Sequence, residues 1–238
     1  MKEKKLWLSL VPVYTLIVFC FLFAAIGGSR AVTVIAENAP ITNRQCVVID
    51  PGHGGEDGGA VSCTGKTESS FNLDIALRLN DLLHLLGIDT LMTRDTDRSI
   101  HTQGETIAAR KVSDLKERVK IANAVDSGIL ISIHQNHFTD SRYSGAQVFY
   151  RKDAKSAELA ARLQTSFVQT INHGSNRKSK KADGIYLMEK VSIPAILVEC
   201  GFLSNYQEEA KLRNEQYQKQ VASVIAAVCS SYLHGNSN

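Results

Sequence analysis

The stretch Cys-Val-Val-Ile-Asp-Pro-Gly-His-Gly-Gly at residues 46–55 decides the fold of this 238-residue chain. Its first five residues form a short apolar run with β-branched side chains, which is typical of a buried β-strand. Pro51 and Gly52 end that run, and further glycines follow as far as Gly59, so the strand is predicted to lead into a glycine-rich loop. The loop contains His53, just beyond the predicted end of the strand.

Strands and helices alternate outward from this stretch. The predicted helices cover residues 68–86, 106–125, 154–171 and 208–233. The other predicted strands cover residues 88–92, 128–134, 146–150, 184–187 and 195–199. This alternation predicts an α/β fold, a single domain whose mostly parallel sheet is flanked by helices.

Polar side chains stand at the ends of three predicted strands. His53 follows the first strand, His134 ends the strand at 128–134, and Glu199 ends the strand at 195–199. In a parallel sheet the ligand crevice lies beyond the carboxyl ends of the strands. We therefore expect these three side chains to converge.

Two histidines and one carboxylate, with one position left open, are the ligand set of a catalytic zinc site. His53 and His134 supply the histidines. Glu68, at the start of the helix after the glycine-rich loop, is the best candidate for the carboxylate, and Glu56 and Asp57 are its rivals. The chain has no His-Glu-x-x-His helix, so these ligands would come from separate elements.

Glu199 ends an apolar strand, where a carboxylate is costly unless it has a partner or a role. One interpretation is a general base that activates water beside a metal, and the other is a buried glutamate that accepts backbone hydrogen bonds. Cys200 offers a different chemistry, as a nucleophile with His134 as its base. Residues 60–67 nearly match a phosphate-binding loop, but they do not follow a strand directly.

The N-terminus reads as an export segment. Residues 2–5 carry three lysines, and no charged residue follows from Leu6 to Ser29. This pattern predicts a signal peptide or a membrane anchor over residues 1–30, then a linker over 31–45. Because the positive end stays inside, the body is expected outside the cytoplasm, with membrane contact only through this segment.

Charge and cysteine content narrow the function classes further. Four of the 27 basic residues and one of the 24 acidic residues lie within the first thirty positions, so the rest of the chain has no formal net charge. That balance argues against nucleic acid as the ligand. The basic run at 177–181 is either a solvated loop or a contact with an anionic polymer outside the cell. The four cysteines of the body are expected to be mostly free thiols; they are Cys46, Cys63, Cys200 and Cys229.

Six segments together resemble the zinc-dependent N-acetylmuramoyl-L-alanine amidases of the amidase-3 type. They are VVIDPGHGGEDGGA (47–60), LMTRDTD (91–97), RVKIAN (118–123), ISIHQNH (131–137), SGAQVFY (144–150) and IPAILVECGFLSN (193–205). The resemblance covers residues 45–233, and within the family it is greatest to the germination-specific amidases of spore formers. It implies a mixed six-stranded sheet and a catalytic domain over residues 46–234.

The resemblance also implies the site. Zinc would be held by His53, Glu68 and His134, and the catalytic glutamate of the family falls on Glu199. The family often has small residues where this chain has Gln135 and His137, so His137 is expected to line the cleft.

Three further residues are candidates for supporting roles. Asp50 is expected to orient a metal-ligating histidine or to anchor the loop. Arg118 and Asn136 are expected to contact substrate, with a structural ion pair and a loop cap as the respective alternatives.

The function implied is hydrolysis of the amide bond between N-acetylmuramic acid and L-alanine in peptidoglycan. The narrower resemblance implies a role in spore cortex maturation, where muramic δ-lactam forms, and in germination, in the space between the spore membranes. A muramic acid deacetylase would act in sequence with the enzyme, and an accessory protein is a further candidate partner. The alternatives are a non-catalytic module that binds the cell wall and, with less support, a Cys200-dependent hydrolase.

Overall fold

The computed structural model describes residues 45–235. Its strands are β1 (Cys46–Pro51), β2 (Asp89–Met92), β3 (Gly128–Asn136), β4 (Gln147–Tyr150), β5 (Lys180–Lys181) and β6 (Ala195–Phe202). Its helices are α1 (Glu68–Leu85), α2 (Ile107–Asn123), α3 (Ala154–Thr170), α4 (Tyr186–Lys190), α5 (Tyr206–Leu212) and α6 (Glu215–Gly235). The predicted N-terminal segment and nearly all of the predicted linker lie outside the described residues.

The six strands form one sheet in the order β2-β1-β3-β6-β4-β5. Strands β2, β1, β3 and β6 run parallel, whereas β4 is antiparallel to β6 and β5 is parallel to β4. The carboxyl ends of β1, β3 and β6 and the amino end of β4 therefore meet at one edge of the sheet. This mixed, mostly parallel sheet flanked by helices confirms the predicted fold class.

The two faces of the sheet pack against separate apolar layers. Val47 and Ile49 of β1 belong to the larger buried cluster, which α1, α3 and α6 cover. Val48 belongs to the smaller cluster, which α2 and α4 cover. Because side chains alternate along a strand, Asp50 lies on the same face as Val48. The same alternation, counted from Leu130 and Leu197, places His134 and Glu199 on that face too.

One predicted strand and one predicted helix are wrong. Residues 184–187 are not a strand: they lead into α4, and the edge strand β5 lies earlier, at Lys180–Lys181. A short apolar run does not by itself distinguish a strand from a helical turn. The predicted terminal helix is two helices, α5 and α6, because the Asn214 side chain accepts hydrogen bonds from the backbone N–H groups of Gln216 and Tyr217 and so starts a new helix.

Within residues 45–235, no helix is both long and apolar enough to cross a membrane. The four cysteines within residues 45–235 form no disulfide in this structure.

Candidate metal centre

Three side chains from three elements converge at the carboxyl edge of the sheet. His53 comes from the loop after β1, Glu68 from the first residue of α1, and His134 from β3. The Nε2 atom of His53 lies 3.3 Å from Oε2 of Glu68, and Nδ1 of His134 lies 2.9 Å from Oε1 of the same carboxylate. One potential ligand atom from each of these three side chains lies within 4.8 Å of the other two, which is close enough to share a metal ion. Within residues 45–235, this is the group of three or more His, Cys, Asp or Glu side chains with that property.

The charges of these groups are strongly coupled. Burial alone would lower the pKa of His53, but hydrogen bonds and charge from Glu68 and Asp57 outweigh it and raise that pKa to about 9. Burial would raise the pKa of Glu68, but His134 and His53 hold it far below its ordinary value. The carboxylate is thus ionised and lies between two imidazole rings, an arrangement of donor atoms that can bind a divalent cation.

The backbone around the cluster is strained and tightly packed. His53 has a φ of 61°, the sole positive value for a non-glycine residue between residues 45 and 235. Such a conformation costs on the order of 1–3 kcal/mol and persists only where the surroundings enforce it. A Cβ atom on Gly52 would lie 2.1 Å from Nε2 of His134, and one on Gly59 would lie 2.7 Å from Oε2 of Glu68. Only glycine lets the loop approach its own ligands this closely.

Arg118 holds the loop from beneath. Its guanidinium bonds to the carboxylates of Asp50 (2.6 Å) and Asp114 (2.5 Å) and to the backbone carbonyls of Pro51 (2.8 Å) and His53 (2.7 Å). The side chain is 2% exposed, and its donors are taken up by these protein acceptors. This geometry favours the structural ion pair over the expected substrate contact of Arg118.

A second buried arginine, Arg94, braces the same loop. It donates to the carbonyls of Pro51, Gly52, Ser69 and Thr96 and is 1% exposed. No role for Arg94 is evident from the sequence pattern, although the residue lies in the LMTRDTD segment that resembles the family. Its four carbonyl partners come from the loop, from α1 and from its own turn, so it ties the metal ligands to the rest of the edge.

Two roles were expected for Asp50, namely anchoring the loop and orienting a histidine. In the structure Asp50 has the first role, and Asp57 has the second. Asp50 accepts hydrogen bonds from Thr93, Ser132 and Arg118 and from neither histidine, so it anchors the loop. Asp57 is the residue that contacts a histidine, with its Oδ2 atom 3.0 Å from Nδ1 of His53. A carboxylate in that position fixes the ring orientation and leaves Nε2 free to bind a metal.

The other candidate ligands point elsewhere. Glu56 pairs with Arg110 at 2.8 Å, and Asp57 pairs with Lys111 at 2.7 Å as well as with His53. Neither carboxylate belongs to the three-residue cluster. Glu68 is thus the carboxylate that the structure brings to the two histidines.

Glu199 lies beside the cluster, since its backbone is the register partner of His134. Its Oε2 atom is buried and has no hydrogen-bond partner in the described protein. Oε2 therefore accepts no backbone hydrogen bond of the kind that the alternative interpretation requires. Burial raises the pKa of Glu199 to about 7. An unpartnered buried oxygen next to two imidazoles and a carboxylate fits a site completed by a metal ion and its solvent.

The remaining candidates differ in exposure. Asn136 is half-buried at the end of β3, and His137, the next residue, is exposed. Cys200 is fully buried, and burial raises the pKa of its thiol, which disfavours a thiolate nucleophile at this position.

Known proteins share this sequence and fold. The family described as N-acetylmuramoyl-L-alanine amidase matches residues 47–230. The germination-specific N-acetylmuramoyl-L-alanine amidase of Bacillus subtilis is 36% identical over 228 residues, which cover 94% of this chain and 93% of that protein. The N-acetylmuramoyl-L-alanine amidase LytC of the same organism is 29% identical over 216 residues, which cover 88% of this chain and 40% of that protein.

Solved structures agree with these relatives. The CwlD amidase from Clostridioides difficile, determined in complex with the GerS lipoprotein, matches with a TM-score of 0.77 and 35% identity over 81% of this chain and all of that one. The catalytic domain of CwlV, an amidase from Bacillus (Paenibacillus) polymyxa var. colistinus, matches with a TM-score of 0.67 and 31% identity over 80% and 98% of the two chains. The chain therefore belongs to the amidase-3 family of N-acetylmuramoyl-L-alanine amidases, enzymes that act on peptidoglycan.

Proposed function

We propose that this enzyme cleaves the amide bond between the lactyl group of N-acetylmuramic acid and the first L-alanine of the stem peptide, with Zn²⁺ held by His53, Glu68 and His134. The observation that carries the proposal is the convergence of these three side chains beside the unpartnered Oε2 atom of Glu199. When bound, Zn²⁺ polarises a substrate carbonyl and lowers the pKa of water.

Glu199 moves the proton in this proposal. In its ionised form it accepts a proton at Oε2 from the attacking water, and it then donates that proton to the nitrogen of the leaving L-alanine. Its pKa of about 7 without a bound metal reflects burial, which disfavours the charged form. A carboxyl group with a pKa near the working pH can both accept and release a proton.

Mass spectrometry of digested peptidoglycan tests the proposal. The purified full-length enzyme is incubated with peptidoglycan, once with added zinc and once with a chelator. The expected result is zinc-dependent release of intact stem peptides with a free L-alanine amine. Release that persists after complete removal of metal would overturn the zinc assignment, and cleavage at any other bond would overturn the bond assignment.

The cellular role proposed is removal of stem peptides from spore cortex, so that muramic δ-lactam can form after a deacetylase has acted. The germination-specific name of the B. subtilis relative supports this narrower role. A strain that lacks the enzyme is expected to make cortex without the lactam. Normal lactam content in the spores of that strain would contradict the role.

Export and an accessory protein complete the proposal. The lysines at 2–5 and the uncharged stretch 6–29 support export through a signal peptide or anchor over residues 1–30. The C. difficile relative was determined with a lipoprotein, which supports a search for a similar partner here. Zinc content and activity of the enzyme purified alone, compared with the enzyme isolated from its own cells, test whether such a partner is required.

A further inference from the structure

An exposed aromatic surface lies next to the metal centre. Phe138 and Tyr143, in the loop after β3, are 49% and 47% exposed. Their ring centroids are 4.9 Å apart in an edge-to-face arrangement, and Tyr143 stacks on the buried Phe202 at 6.1 Å. We call these three residues the aromatic shelf.

The register of the sheet fixes how close the shelf is to the site. His134 pairs with Glu199, and Asn136 pairs with Phe202 just beyond them. Phe138 follows His134 by four residues, a span of at most about 14 Å even in extended chain. The shelf therefore lies at the same edge of the sheet as the proposed ligands and Glu199, with Phe138 within about 14 Å of His134.

The shelf is held rigid by the segment that follows Glu199. The backbone N–H of Phe138 donates to Oγ of Ser204 at 3.1 Å. The side-chain amide of Asn205 donates to the carbonyls of Ser141 (2.8 Å) and Tyr143 (3.2 Å). Exposed aromatic rings that are fixed before binding lose little conformational entropy when a ligand packs on them.

The charge next to the shelf also suits peptidoglycan. The Arg177 guanidinium lies 5.4 Å from the centre of the Phe202 ring and donates to the carbonyl of Ser144. It begins the basic run 177–181, which continues into the exposed edge strand β5. Stem peptides carry carboxylates, and sugar rings present apolar C–H faces that pack on aromatic rings.

We propose that the aromatic shelf is a glycan subsite, on which one sugar ring of the strand packs against the exposed faces of Phe138 and Tyr143 and so places the lactyl amide in the cleft. A contiguous exposed apolar surface next to a catalytic site is typical of a ligand-binding groove. The inference rests on the proposed function, because only a muramyl substrate brings a sugar ring next to the scissile bond.

Kinetics on soluble muropeptides test the subsite. Phe138→Ala and Tyr143→Ala are compared with wild type on tetrasaccharides that carry stem peptides. Loss of one stacked ring is expected to raise KM about tenfold and to leave kcat within about twofold of the wild-type value. Tyr143→Phe keeps the ring and is expected to behave as wild type. Leu85→Ala removes an 83% exposed apolar side chain at the end of α1 remote from Glu68 and serves as the matched control.

A second measurement does not depend on hydrolysis. Peptide-free tetrasaccharide is titrated against the full-length protein, and saturation-transfer NMR reports sugar protons in contact with it. The expected result is a saturation-transfer signal on the C–H protons of the sugar ring that is weaker in both alanine variants than in wild type. This result supports the subsite even if the wild-type enzyme releases no peptide. Unchanged KM and unchanged NMR signal in both alanine variants would overturn the subsite, and such a result would leave the shelf as a surface for a protein partner.

Discussion

The carboxyl edge of the sheet carries two regions that are fixed in different ways. The glycine-rich loop at 52–59 is held by two buried arginines, Arg94 and Arg118, and contains a histidine in a strained backbone conformation. In the aromatic shelf, the Phe138 N–H donates to the Ser204 hydroxyl, the Asn205 amide donates to the Tyr143 carbonyl, and two of the rings remain about half exposed.

From this difference we expect the glycine-rich loop to serve the chemistry and the aromatic shelf to serve substrate recognition. In the loop, buried charges with satisfied partners set the positions of the proposed ligands, so changes there should act on stability, metal affinity or turnover. In the shelf, the backbone is fixed but the rings face solvent, so changes there should act on substrate binding alone.

The largest effect is expected for Glu199→Gln. The amide cannot accept a proton, so turnover should fall by about 10²–10⁴-fold. Zinc content and melting temperature should stay near the wild-type values, because the amide has the same shape and Oε2 has no hydrogen bond to lose. His134→Ala is the contrasting variant, since it should lose zinc together with turnover. Near-normal turnover by Glu199→Gln would contradict the proposed proton transfer.

Arg118→Met should give the largest loss of stability. The substitution leaves Asp50 buried without its cationic partner, and breaking such a buried pair costs about 3–5 kcal/mol. Denaturant unfolding measures the loss. Arg162→Met is the matched control: Arg162 pairs with Glu158 across one exposed helical turn, and its loss should cost less than about 0.5 kcal/mol. Equal losses in the two variants would show that the buried network does not hold the loop.

Sequence patterns predicted the strands that carry the site better than they predicted the residues that hold the site in place. Strands β1, β3 and β6 are apolar runs that end in polar residues, and the geometry of parallel sheets then brings His134 next to Glu199. The positions of Arg94 and Asp57 depend on partners far away in the chain or on the shape of the loop. An arginine is ordinarily read as an exposed residue, and only the fold reveals that four carbonyls surround Arg94.

Asp57→Asn should weaken zinc binding with little loss of stability. The side chain keeps its shape but no longer offers a charged acceptor to Nδ1 of His53. Loss of such a partner typically costs about 10–100-fold in metal affinity or activity. Competition with a chromogenic chelator measures the zinc dissociation constant. Glu56→Asn is the matched control, because Glu56 lies in the same loop and contacts Arg110 rather than a proposed ligand. If the Asp57→Asn variant has the same zinc dissociation constant as wild type, Asp57 does not contribute to zinc binding.

The smallest effect is expected for Lys111→Met, and its sign tests whether the loop acts through charge. Lys111 contacts the carboxylate of Asp57 at 2.7 Å and is 48% exposed, so its removal should change stability by less than about 1 kcal/mol. Without this cation, more of the negative charge of Asp57 acts on His53, and a positive charge near the metal is gone. Zinc binding should therefore tighten by a few-fold, more so at low salt. Lys116→Met, on the same helix, should leave the zinc dissociation constant unchanged. Weaker zinc binding in Lys111→Met would show instead that Lys111 serves to hold Asp57 in place.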